Sequence, residues 1–128
     1  MLKLKVITKE RKIIDEEVEE VYLPAETGEI GILLGHRPLI ALLGIGILKY
    51  IKEGKKYFLG ISEGIAEVLN DNVNIFADEI IFKEKIDQEK EKAALFEAEE
   101  SLKYLSGEEL EKAKKRIKRA KTSLDLLK

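Results

Sequence analysis

Residues 23–39 read Leu-Pro-Ala-Glu-Thr-Gly-Glu-Ile-Gly-Ile-Leu-Leu-Gly-His-Arg-Pro-Leu, a stretch in which glycine and proline interrupt short apolar runs. Proline and glycine both disfavour the interior of a helix. Apolar runs of a few residues bounded by such residues are typical of strands joined by turns. The stretch therefore predicts β-structure, and the same pattern continues on both sides of it.

The first 83 residues repeat this alternation of apolar run and turn. Leu2, Leu4 and Val6 alternate with lysines, as on a strand with one solvated face. Turns are predicted at 52–55 and at 70–72, the second as a tight hairpin. The further strands are predicted at 18–23 (stopped by Pro24), 39–43, 47–51 (opened by Gly46), 57–61, 64–69 and 73–77. Many short strands without a helical period favour an antiparallel β-sandwich over residues 1–83.

Residues 87–128 are different, with one glycine, no proline and many Ala, Glu, Lys and Leu. Asp87 is placed to cap a first helix. Ser106 and Glu109 have the spacing of a capping box, with Leu105 and Leu110 as its hydrophobic staple, so a second helix should begin near Gly107. The expected fold class is α+β, with an N-terminal antiparallel β-sandwich followed by a C-terminal antiparallel two-helix hairpin.

Each predicted helix carries one apolar seam. The first has Ala94, Ala98, Leu102 and Leu105 on one face, and the second has Leu110, Ala113, Ile117, Ala120, Leu124 and Leu127. The helices also differ in charge, with a net charge of −3 over 87–105 and +4 over 108–128. Exposed ion pairs contribute only a few tenths of a kcal/mol each, and alanine seams bury little area. We therefore expect attraction between the two helices and a weakly held hairpin.

Composition excludes several classes of function. The chain has no cysteine and one histidine, which argues against disulfides, thiolate sites and an ordinary zinc site. A net charge of −2 argues against a nucleic-acid binder. No stretch looks like a signal peptide or a membrane span. No nucleophile, metal-ligand set or acid/base pair stands out, so we expect a binding and regulatory module with no catalytic residues, rather than an enzyme.

Four stretches resemble one known family. Residues 23–33 (LPAETGEIGIL), 35–39 (GHRPL), 61–68 (ISEGIAEV) and 73–78 (VNIFAD) are similar in order and spacing to the epsilon subunit of F-type ATP synthases. The resemblance covers essentially the whole chain, including the helical tail. One departure is Glu63, where the family usually has glycine.

The resemblance implies a non-catalytic rotor part of the central stalk. Its expected partners are the gamma subunit, the ring of c subunits and the α/β hexamer, with no nucleic acid and only indirect membrane contact. The expected location is peripheral, at the cytoplasmic face of the cell membrane. In the family the sandwich helps to couple ion-driven rotation to ATP synthesis. The hairpin lies folded or extends along gamma, where it hinders ATP hydrolysis.

The resemblance also assigns residues to these contacts. Glu29 and His36 would face the c ring, although from the residues alone both are ordinary solvated side chains. The strand with Leu39, Ala41 and Leu43 would face gamma. The basic run of the second helix would meet an acidic loop of the β subunit, and consists of Lys112, Lys114, Lys115, Arg116, Lys118, Arg119 and Lys121.

Some relatives bind ATP between the helices through an I/L-D-x-x-R-A motif. The matching residues here run from Ile86 to Glu91, with lysine at position 90 and glutamate at position 91 in place of arginine and alanine. Lysine lacks the bidentate fork of arginine, and Glu91 would repel an anion. A degenerate nucleotide site at Asp87, Lys90 and Arg119 is therefore expected to bind weakly or not at all, so no cofactor is expected. The alternative function is a stand-alone ATP-sensing helical hairpin built on these same three residues.

Overall fold

The computed structural model describes all residues from 1 to 128 as seven strands followed by two helices. The strands are β1 (Leu2–Ile7), β2 (Lys12–Val18), β3 (Glu20–Ala25), β4 (Gly28–Ile32), β5 (Leu39–Lys52), β6 (Lys55–Leu69) and β7 (Asn72–Ile81). The helices are α1 (Gln88–Ser101) and α2 (Gly107–Leu126), with single 3-10 turns at Lys83–Lys85 and Leu102–Tyr104. The predicted α+β fold class, a β-sandwich followed by two helices, is confirmed.

The sandwich is one hydrogen-bonded sheet that folds over on itself. Its strand order is β2-β1-β7-β6-β5-β3-β4, and all neighbours are antiparallel except β1 and β7, which are parallel. Val18 of β2, at one end of this order, and Ile32 of β4, at the other end, belong to the same buried core. Strands so far apart in the sheet can share a core only if the sheet closes into two facing layers.

Three predicted strand limits were wrong. Runs 39–43 and 47–51 form the single strand β5, and runs 57–61 and 64–69 form the single strand β6. Pro24 lies inside β3, opposite Glu29 of β4, and the β3–β5 pairing is irregular between Tyr22 and Ala25. That irregularity accommodates a residue without an N–H group. A Cβ on Gly46 would lie 2.8 Å from the Pro24 ring, so Gly46 gives the proline room rather than ending a strand.

Strands β5, β6 and β7 change the face that they turn to the core about halfway along. In β5 the side chain that enters the core is at an odd-numbered position at Leu43 but at an even-numbered position at Leu48. The same reversal occurs in β6 and β7. The ladder is irregular at the matching level, where Glu63 and Gly64 have φ of 63° and 151°. A local break in the two-residue alternation is needed for such a reversal. The outer face of these strands is thereby divided into two halves.

Both predicted turns are two-residue hairpins. Glu53 and Gly54 join β5 to β6 with φ of 52° and 76°, and Asn70 and Asp71 join β6 to β7 with φ of 49° and 63°. Positive φ at both central residues is the geometry of a type I′ turn, for which Asn, Asp and Gly are suited.

The two helices begin where the sequence indicates, but only one is capped as predicted. The Asp87 carboxylate accepts a hydrogen bond from the Lys90 backbone N–H at 3.2 Å. Ser106 precedes α2 without a side-chain cap, and Gly107 takes a φ of 58°, so the predicted capping box is not formed. On α1, Ala98 is buried as predicted whereas Ala94 is exposed.

Candidate functional site

An exposed apolar row crosses one half of the outer sheet face. We call this half, which carries Leu42, Ile65 and Phe76, the upper half. Leu42 of β5 pairs with Ile65 of β6, which pairs with Phe76 of β7, which pairs with Ile7 of β1. The first three side chains are 58%, 44% and 48% exposed, and Ile40, two residues before Leu42, is 73% exposed. Residues directly opposite one another on neighbouring strands are close enough for their side chains to touch. A contiguous apolar patch of this kind is typical of a protein interface.

The residues predicted to face gamma lie on the opposite face of β5. Leu43 is 1% exposed and belongs to the core, Leu39 packs against that core, and Ala41 is half-buried. The prediction for Leu43 was wrong because a side chain enclosed in the core cannot contact a partner. The strand was correctly singled out as apolar, but its outward residues are Ile40 and Leu42.

Glu29 lies near the start of β4, and His36 lies in the loop that follows the strand. Glu29 is exposed within β4, and its charge adds to that of Glu20, the hydrogen-bond partner that chiefly raises the pKa of Tyr22. The His36 ring Nδ1 lies 2.6 Å from the Arg37 carbonyl oxygen. The loop that carries His36 is held by the Asp71 carboxylate, which accepts a hydrogen bond from the Gly35 N–H at 2.7 Å. No hydrogen bond or ion pair joins Glu29 to His36.

An acidic belt lies where the outer sheet face changes halves. It consists of Glu26, Glu63, Asp78 and Glu79, which line two shallow hollows on either side of this boundary. Lys115 Nζ lies 3.1 Å from Glu63 Oε2, and Arg119 Nη1 lies 2.7 Å from Glu79 Oε1. Lys118 Nζ comes within 3.6 Å of the position a Cβ would take on Gly44, beside Glu26. Three cations of α2 thus face the acidic belt.

Helix α2 packs on the other half of the outer face, which we call the lower half. Ile47, Gly60 and Ile81 pair across β5, β6 and β7, and a Cβ on Gly60 would lie 2.9 Å from Leu126 Cδ1. Leu126 is buried against this row. Thr122 and Ser123 are also buried, and the Thr122 hydroxyl donates to the Lys118 carbonyl at 2.8 Å. The hairpin is therefore folded against the sandwich in this structure.

Sequence reasoning missed this second face of α2. Lys115, Arg119, Thr122 and Leu126 recur at spacings of four, three and four, which is the spacing of one helix face. Most of the stripe is polar, so it does not stand out as a packing surface. The glycine at position 60, inside a strand and without a turn to make, was the available signal of a close approach.

The basic run of α2 is divided among several environments. Lys112 and Lys114 pair with glutamates three residues earlier in the helix, while Lys115 and Arg119 pair with the sandwich. Arg116, Lys118 and Lys121 make no ion pair. No ion pair joins α1 to α2, so the opposite net charges of the two helices do not lead to direct salt bridges between them.

The three residues of the degenerate nucleotide site are not gathered into one cavity. Asp87 caps α1, Lys90 is exposed, and Arg119 is engaged with Glu79 on the sandwich. A groove of about 450 Å³ does lie between the helices, but it is lined by other residues, namely Gln88, Lys92, Leu95, Lys121, Leu124, Asp125, Leu127 and Lys128.

A stacked tyrosine pair lies at the lower end of β5 and β6. The Tyr50 and Tyr57 rings are 5.1 Å apart between centroids and 13° from parallel. Burial is the chief cause that raises the pKa of the Tyr50 phenol, and the Glu16 charge adds to it.

No cluster of three or more histidines or carboxylates in this structure could hold a metal ion. Neither helix is long and apolar enough to cross a membrane.

This chain is similar in sequence to known proteins. Residues 1–83 match the family model described as the beta-sandwich domain of the ATP synthase Delta/Epsilon chain. The ATP synthase epsilon chain of Solibacter usitatus is 46% identical over 94 residues, which is 73% of this chain and 70% of that protein. The epsilon chain of Bacillus licheniformis is 37% identical over 126 residues, covering 98% of this chain and 96% of that protein.

The helical part is covered by a solved structure as well. A chain in the cryo-EM structure of the Euglena gracilis mitochondrial ATP synthase, with OSCP, F1 and c-ring, superposes with a TM-score of 0.88 at 28% identity. The match covers 99% of this chain and 81% of that one. Since the sandwich matches the family model and a full-length relative matches both parts, the chain belongs to the epsilon-chain family of F-type ATP synthases.

Proposed function

We propose that this chain is a non-catalytic central-stalk subunit of an F-type ATP synthase that docks on gamma through the apolar row. The observation that carries the proposal is the row itself, Leu42, Ile65 and Phe76, exposed on a regular part of the sheet. Ile40 extends it, which gives four large apolar side chains in one patch. Complete burial of a fully exposed side chain of this kind contributes about 1.5–3 kcal/mol, so covering the patch with an apolar surface of gamma favours association.

Glu29 of β4 and the loop that follows β4 and carries His36 are proposed to face the c ring. Glu29 is exposed, and the His36 loop is fixed by the Asp71 carboxylate. A loop held in one conformation loses little entropy when it binds. In this arrangement the sandwich couples ring rotation to gamma, and the chain reaches the membrane only through the complex, at its cytoplasmic face.

The hairpin is proposed to regulate ATP hydrolysis through the basic residues of α2. Arg116, Lys118 and Lys121 remain without ion pairs while the hairpin is folded, and Lys115 and Arg119 would become free when it leaves the sandwich. A helix with this run of cations is suited to an acidic segment of the α/β hexamer.

Strong nucleotide binding is not part of the proposal. Arg119 is held by Glu79, and Glu91 is a half-buried carboxylate near the start of α1. Calorimetry with ATP and magnesium tests this point. Measurable heat at micromolar nucleotide would instead support the stand-alone ATP sensor.

Binding to purified gamma tests the docking proposal. Changing Leu42 and Phe76 to glutamate puts two charges into the row, and we expect affinity for gamma to fall more than 100-fold. The matched control is Phe96→Glu on α1, where the phenylalanine is 68% exposed but far along the chain from the row. Circular dichroism verifies folding of each variant. Unchanged binding of the folded double variant would refute the assignment of the row.

Truncation after Lys83 tests the role of the hairpin. The cut must follow β7 completely because Ile80 belongs to the core and Phe82 packs against it. We expect the truncated chain to fold and to bind gamma, and the assembled complex to hydrolyse ATP faster. An unchanged hydrolysis rate would mean that the hairpin has no inhibitory role.

A further inference from the structure

The contact between α2 and the sandwich contains two kinds of interaction that respond differently to salt. Leu126 lies on Gly60 and Ile81, an apolar contact that salt does not weaken. Lys115 with Glu63 of β6 and Arg119 with Glu79 of β7 are ion pairs between residues 52 and 40 positions apart in sequence. They lie at the end of the contact nearest the exposed apolar row.

The two ion pairs are placed where they can be screened and exchanged. The Lys115 and Glu63 side chains are 61% and 37% exposed, and those of Arg119 and Glu79 are 37% and 60% exposed. Exposed pairs are weakened by salt, because the Debye length falls from about 10 Å at 0.1 M to about 3 Å at 1 M. Each such pair changes an equilibrium by about two- to five-fold.

Apart from the buried Thr122 and Ser123 and the approach of Lys118 to Glu26, little else fixes the hairpin to the sandwich. Helix α1 packs on α2, and only Ala98 of α1 is buried. The connection to β7 is a single 3-10 turn, Lys83–Lys85, with no buried residue. Small energetic changes at the α2 contact should therefore move the whole hairpin.

We infer that the acidic belt is an ionic latch, in which Glu63 and Glu79 hold Lys115 and Arg119 and so set how often the hairpin leaves the sandwich. An acidic peptide segment that binds these same cations competes directly with the belt. In the presence of such a segment, release exchanges the carboxylates that pair with Lys115 and Arg119. The regulatory meaning of the latch rests on the proposed function, but the latch itself is a property of the isolated chain.

The latch can be measured by distance between two labels, because the chain contains no cysteine of its own. Cysteines at Lys9 on the sandwich and at Tyr104 on the hairpin tip, both exposed, accept a fluorophore pair. Raising NaCl from about 0.05 M to about 1 M should raise the undocked fraction, and replacing Glu63 and Glu79 by glutamine should raise the ratio of undocked to docked molecules about four- to 25-fold at low salt.

Two further variants separate the latch from general charge effects. Glu97→Gln with Glu100→Gln makes the same change in net charge on exposed α1 carboxylates without ion pairs, and we expect wild-type docking. Exchanging one pair, as Glu79→Arg with Arg119→Glu, should restore docking that each single change weakens. Equal docking in the Glu63/Glu79 variant and its control, or docking unaffected by NaCl, would overturn the latch. Neither result would affect the gamma-binding test, which concerns the opposite half of the sheet face.

Discussion

Replacing Leu126 by alanine removes the side chain that seats α2 on the sheet. Leu126 is 6% exposed, and its Cδ1 lies 2.9 Å from the position a Cβ would take on Gly60. The change deletes three carbon atoms from a buried site, which costs about 2–3 kcal/mol when the lost transfer energy is combined with a small cavity. We expect that cost to fall on docking of the hairpin rather than on the sandwich.

Hydrogen exchange resolved along the chain measures where the cost appears. An undocked hairpin with a small helix interface is only marginally stable, so amides of α2 should exchange roughly 30- to 150-fold faster, at about 1.4 kcal/mol for each factor of ten. Amides of β1 and β7 should keep their wild-type rates. The matched control is Leu69→Ala at the end of β6, which deletes the same atoms from a side chain that is 47% exposed.

Two results would refute this reasoning. Wild-type exchange in α2 of the alanine variant would mean that the Leu126 contact does not hold the helix. Equal acceleration in α2, β1 and β7 would mean that hairpin and sandwich unfold as one cooperative unit.

Three other predictions concern local structure. Gly46→Ala should lower the free energy of unfolding in urea by about 1–3 kcal/mol, since the new Cβ would overlap the Pro24 ring. Asp87→Ala should lower the free energy of unfolding by about 1 kcal/mol, whereas Ser106→Ala should change it by less than about 0.5 kcal/mol. The reason is that only Asp87 makes a cap hydrogen bond. Helicity measured by circular dichroism as a function of urea concentration distinguishes the two variants. Tyr50 has a raised pKa, so it stabilises the fold fully below the pKa of an unfolded tyrosine, and this contribution is lost as pH rises through the folded pKa. Alkaline titration of tyrosinate absorbance should therefore show a late phase that is smaller in Tyr50→Phe, where Tyr22 remains as a tyrosine with a raised pKa.

The fold was predictable because its signals are local. The two-residue turns at 53–54 and 70–71 contain Gly54, Asn70 and Asp71, which tolerate positive φ, and α2 begins at the predicted residue, Gly107. The strand count was not predictable in the same way. Gly46 and Pro24 look like strand breaks locally, but here each accommodates the other across neighbouring strands. A pair of this kind can be recognised only when the register is known.

The candidate site was predictable only to the level of its strands and helices. Period-two alternation shows that Leu39–Leu43 has two faces, yet it does not say which one the core takes. The reversal at Glu63 and Gly64 makes that choice differently in the two halves of β5 and β6. The acidic belt also escaped prediction, since Glu26, Glu63 and Glu79 are distant in sequence and meet only in the folded sheet.

The continuity of β5 and β6 has a mechanical consequence. Strands of 14 and 15 residues at about 3.3 Å per residue form a two-stranded beam about 45–50 Å long, with hydrogen bonds along its length and no loop in the middle. A load applied at the end that carries Leu42 and Ile65 reaches the end under α2 through the two covalent chains and through a ladder that is interrupted only at the level of Glu63 and Gly64. The beam deforms most easily at the irregular level of Glu63 and Gly64, directly beside the place where Lys115 is attached.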